Sequence, residues 1–128
     1  MSIHQEVVFK CSTNKLFDAL TRADQFAELT GAPAEIAAEV GGEFSCFGSM
    51  VLGVMVELVA GERIVQAWRI ANWEPGEYSL VKFELQTCGD DECKLVLDHV
   101  AYPEEHVDHL DMGWHNMYWD PIKKYLDA

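Results

Sequence analysis

Between Pro103 and the end of the chain, Val107, Leu110, Trp114, Tyr118, Pro121 and Tyr125 recur every three or four positions, the spacing that lines one face of an α-helix. A stripe this apolar needs a large apolar partner. Glu104, Glu105 and Asp108 fall near the expected start of the helix and Lys123 and Lys124 near its end, the charge placement that the helix dipole favours. Pro121 removes one backbone donor and crowds the carbonyl four residues earlier, so a kink is expected around Met117 to Pro121.

The preceding chain supplies the partner. Ile3 to Phe9 alternates apolar and polar residues and reads as a strand. Ser12, Thr13 and Asn14 offer N-caps for a short amphipathic helix with Leu16, Phe17, Ala19 and Leu20, and a second short helix is expected from Ala23 to Leu29, closed by Gly31-Ala32-Pro33. Six further strands are predicted: Glu35 to Val40, Glu43 to Phe47, Met50 to Val59, Arg63 to Ile70, Tyr78 to Thr87 and Cys93 to Val100. Turn residues separate them, which favours a meander. Alternation turns Val81, Phe83 and Leu85 inward against Lys82, Glu84 and Gln86, and it turns Cys93, Leu95, Leu97 and His99 inward against Lys94 and Asp98. Ile64, Trp68 and Ile70 are placed inside by the same logic, while Met50 to Val59 is apolar on both faces.

With 128 residues the chain makes one domain spanning 1–128, large enough to bury a core without staples. Nine basic against 22 acidic residues leave a net charge of -13, which repels phosphate backbones and anionic headgroups and excludes nucleic acid and membrane surfaces as partners. No apolar run approaches a membrane span and no signal segment follows Met1, so the cytoplasm is the expected compartment. Cys11, Cys46, Cys88 and Cys93 lack the paired spacing of a zinc site and read as thiols, with Cys88 and Cys93 flanking a hairpin loop.

Gly42-Glu43-Phe44, Phe47, Gly53, Glu62-Arg63-Ile64-Val65 leading to Trp68-Arg69, the strand with Leu95, Leu97 and His99, and Gly113-Trp114 followed by Tyr125-Leu126 resemble the START-like (SRPBCC) superfamily. Within it, the chain is similar to the branch that includes the C-terminal domain of the activator of heat-shock protein ninety ATPase, over about residues 3 to 126. The resemblance implies an α+β helix-grip fold: a curved antiparallel sheet wrapped around a long C-terminal helix, two short helices after the first strand, and often a cavity between sheet and helix. It implies fold more firmly than activity, because the superfamily hosts many functions. Because the sequence opens at this domain, the activator's additional N-terminal domain is not expected in it.

No Ser-His-Asp, Cys-His or paired-carboxylate arrangement can be read from the spacing, so a non-enzymatic role is expected, with neither cofactor nor metal. His106 and His109 lie three apart beside acids but are expected to face solvent, and Asp111 is expected at the wet border of the stripe. The leading expectation is a hydrophobic small molecule held between sheet and helix by Phe44, Trp68, Phe83, Leu85, Leu97, Leu110, Trp114 and Tyr118, with His99 and Tyr102 orienting it. The alternative is a module that binds a chaperone or another protein. Met112 and Trp119 fall opposite Trp114 on a regular helical wheel and form its candidate docking stripe, unless Pro121 rotates Trp119 into the core.

Overall fold

A computed structural model describes residues 2–126. Strand β1 (Ser2–Phe9) leads into helices α1 (Thr13–Thr21) and α2 (Ala23–Thr30), then into β2 (Glu35–Ile36), β3 (Glu43–Cys46), β4 (Val51–Val59), β5 (Arg63–Ile70), β6 (Ser79–Gly89) and β7 (Glu92–Val100). The C-terminal helix follows as a 3-10 turn (Glu104–His106), α3 (Val107–Gly113), a π turn (Trp114–Trp119) and α4 (Asp120–Leu126). The strands form one antiparallel sheet ordered β1-β7-β6-β5-β4-β3-β2. It is the expected meander, with β1 closing against the last strand.

Local chemistry sets the boundaries. Ser12 caps α1 by accepting the Lys15 amide at 3.2 Å, and Gly31 ends α2 in the left-handed conformation at φ 74°. β2 is only two residues long, against the strand predicted from Glu35 to Val40. Ala37, Ala38 and Glu39 offer no β-branched surface. The chain turns there instead, with the Glu39 amide bonded to Ala37 O and the Gly42 amide to Glu39 O.

Alternation holds in β6 and β7: Val81, Phe83, Leu85, Cys93, Leu95, Leu97 and His99 are all buried. β4, apolar on both faces, carries a register shift between Met55 and Glu57. The bulge leaves Val51, Gly53 and Met55 facing inward and Val56 outside, and it bends the sheet around the helix. At Gly53 a Cβ would collide with Ala67 O and the Phe44 ring, so the strands' close approach requires glycine.

Around Met117 to Pro121, where a kink is expected, the helix changes its hydrogen-bond ladder. Ahead of Pro121 the ladder loosens into a π turn, and the Asp120 amide reaches back five residues to His115 O. Residues five apart then share a face, as they do not on a regular helix. Trp114 and Trp119 therefore stack at 5.6 Å with their planes 19° apart. Trp119 is 1% exposed, which corrects its expected place in a docking stripe, while Met112 stays at the surface. The Trp119 indole donates to Gln5 Oε1 at 2.6 Å, and Gln5 Nε2 donates to Asp111 O and Oδ1 at 3.1 and 2.8 Å. One amide side chain thus ties β1 to the terminal helix.

Candidate functional site

The two indoles divide the space between sheet and helix. Over β6 and β7 they fill it, because Phe83 meets Trp114 at 5.7 Å and Trp119 at 6.3 Å with edge-to-face geometry. Over β4 and β5 a cleft of about 470 Å³ remains. Its sheet wall is Phe47, Met50, Val51, Trp68 and Ile70, its helix wall is Leu110, Gly113, Trp114, Met117 and Tyr118, and Asn72, Trp73, His106 and His109 edge its end.

Trp68, Leu110, Trp114 and Tyr118 are the expected wall residues that the structure brings to this cleft. Phe44 and Phe83 instead line a separate void of about 10 Å³ beside Gln66. Leu85 and Leu97 line neither space and are buried in the core. Tyr102 is buried against the His99 ring at 5.1 Å and does not reach the cleft.

His99 is inward, as alternation predicts, but it does not line the cleft. Trp114 Nε1 donates to its Nδ1 at 3.1 Å, so Nδ1 is the acceptor and the proton sits on Nε2. Nε2 lies 2.8 Å from Ser79 Oγ, which in turn donates to Trp68 O at 2.8 Å. Both ring nitrogens are committed. Burial lowers the His99 pKa to about 4, and protonation would also turn Nδ1 into a donor facing the Trp114 N–H. His99 is therefore a neutral brace that sets the Trp114 and Trp68 rings, in place of a ligand-orienting group. Tyr118 is braced similarly, since Trp68 Nε1 donates to its Oη at 3.4 Å and burial raises its pKa.

Sequence reading missed the loop side of the cleft. Trp73 lies between β5 and β6, where no periodicity marks a residue as inward, yet it is buried against Trp68 at 5.9 Å. Arg69 holds that loop, donating through Nη2 to Trp73 O at 2.7 Å and Glu74 O at 3.3 Å, and through Nε to Glu77 O at 3.3 Å. A tryptophan two residues ahead of Pro75-Gly76, with an arginine four residues before it, was the available signal. His106 stacks on Trp73 at 6.3 Å and 7° and is half-buried, correcting its expected solvent-facing placement, whereas His109 is exposed as expected and edges the cleft from outside. Phe47 takes φ 56°, a strained conformation for an aromatic residue. Its ring lies on Phe26 and Tyr118 at 5.5 and 5.4 Å. Among the described residues, no group of three or more His, Cys, Asp or Glu side chains could hold a metal, and no helix is long and apolar enough to cross a membrane.

A curved seven-stranded sheet gripping a terminal helix, with two short helices after the first strand, defines the helix-grip class of START-like domains. Residues 10–127 match the family described as Activator of Hsp90 ATPase homolog 1-like protein, and the chain belongs to that family. An activator of 90 kDa heat shock protein ATPase homolog from Dictyostelium discoideum is 28% identical over 90% of this chain and 30% of its own length. Homolog 2 from Mus musculus is 25% identical over 99% of this chain and 38% of its own. The chain thus spans about a third of the length of these curated relatives. The crystal structure of an HSP90 activator from Plasmodium falciparum superposes with a TM-score of 0.92 at 27% identity, covering 99% of this chain and 96% of that one.

Proposed function

We propose that the chain is a non-enzymatic binding module that holds an apolar small molecule in the cleft between β4, β5 and the C-terminal helix. The observation that carries this reading is the cleft itself, about 470 Å³ and walled mainly by aromatic and aliphatic side chains, within the range typical of small-molecule sites. Affinity would come mostly from desolvation, at roughly 25 cal/mol per Å² of apolar surface removed from water. The cysteines stand as thiols, with no disulfide among the described residues, which fits a reducing compartment such as the cytoplasm. Saturable quenching of tryptophan fluorescence by an apolar ligand panel is the expected result, because Trp68, Trp73 and Trp114 all line the cleft. Met117→Arg, at a half-exposed wall position, is expected to weaken that binding at least about tenfold while leaving the fold intact. A flat response from every ligand would reject the reading.

A second reading has its own support. A chain described as an HSP90 activator matches this one almost end to end, which favours a chaperone of that class as a protein partner. Added to such a chaperone, the chain would raise its ATPase rate at least about twofold; an unchanged rate, together with no complex on size exclusion, would dismiss this partner.

A further inference from the structure

We infer that Gly113 is a specificity-determining residue of the cleft, its missing side chain leaving a shelf of bare helix for a flat, uncharged aromatic ligand with one polar end. This rests on the ligand-binding reading above and names the class of ligand. Three observations converge on it. Gly113 has φ -60° and ψ -36°, ordinary right-handed helix, so its backbone does not require glycine. A Cβ built there meets nothing within 4 Å, so close contact does not require it either. Glycine inside a helix nevertheless lowers stability relative to alanine. What its absent side chain leaves is room, because Gly113 lines the cleft between Leu110 and Trp114.

The neighbours of that shelf define the ligand. Trp68, Trp73 and Trp114 all line the cleft, and aromatic rings gain from stacking or edge contact with a ring ligand beyond simple burial. Polar lining is confined to one end: Asn72 adjoins Trp73, on which His106 stacks, and His109 follows one helical turn later. Those side chains suit a hydroxyl or carbonyl. Glu104, Glu105 and Asp108 flank the same end, and the chain carries a net charge of -13, so a carboxylate ligand meets repulsion.

The test is calorimetric titration of the full chain with 2-naphthol, 2-naphthoate and decan-1-ol. Wild type is expected to bind 2-naphthol at least about tenfold more tightly than either of the others. Gly113→Ala should raise the melting temperature by about 3 °C and weaken 2-naphthol, because alanine suits the helix while its methyl enters the cleft. Gly113→Leu should fold as wild type does and lose about tenfold or more in 2-naphthol affinity. If Gly113→Leu binds 2-naphthol as wild type does, the shelf is overturned while the cleft reading stands. Preference for decan-1-ol or 2-naphthoate overturns the ligand class alone, whereas wild type binding none of the three probes overturns both this inference and the reading beneath it.

Discussion

Trp119→Ala is expected to lower stability by about 4 kcal/mol, read as a lower urea midpoint with an unchanged slope. The indole is fully buried, stacks on Trp114, meets Phe9 edge-on at 6.3 Å, and gives its N–H to Gln5. Truncation removes a large apolar volume and also strands the Gln5 carbonyl, so the cavity and the lost hydrogen bond act in the same direction. Met112→Asp is the control. Met112 is 61% exposed two residues before the π segment, and its replacement should change stability by no more than about 0.5 kcal/mol. If Trp119→Ala proved as mild as the control, the π turn and the face it creates would be wrong.

Acidification is expected to remove about 3 kcal/mol of stability through His99 alone. Its pKa is held at about 4 in the fold against an ordinary 6.5, so between those values the unfolded chain binds the proton and the folded chain refuses it. The contribution is fully present above pH 6.5 and is lost as pH falls toward 4. Roughly half of the loss falls between pH 6.5 and 5, above the range where ordinary carboxylates titrate. His4 acts in the opposite sense: hydrogen bonds with Asp98 and Glu6 raise its pKa, so its contribution is present at low pH and fades as pH rises. It lies on the exposed sheet face, where solvent screens it. The check is urea unfolding of wild type and His99→Gln across this interval, because glutamine keeps a donor and an acceptor but does not titrate. The wild-type slope with pH should be the steeper; parallel slopes would show that His99 is not held neutral.

Much of the architecture is legible in the residues because two periods are strong. A two-residue alternation in β6 and β7 marks the inner face down to His99, and a helical stripe marks the side of the terminal helix that carries Leu110, Trp114 and Tyr118. Reading fails where the period itself changes. Trp119 lies opposite Trp114 only on a regular wheel, and the π turn before Pro121 adds the residue that brings the two rings together. The cleft is less legible still. Four of its walls follow from periodicity, but Asn72 and Trp73 lie on a loop held by arginine-to-carbonyl bonds, and loops have no period. His106 reads as solvent-facing on a wheel centred on Trp114, whereas the cleft opens beside that residue, along Gly113, and half-buries it.

The Gln5 clasp carries a consequence for how the chain is made. Its partners lie 106 and 114 residues further along, so a nascent chain leaving the ribosome exposes β1 long before anything exists to lock it. Phe83 on β6 lacks the Trp114 and Trp119 rings that pack on it until the final helix emerges. Closure is then a late, long-range event, and a translational pause before Trp119 would prolong the interval in which a chaperone could seize the unfinished protein.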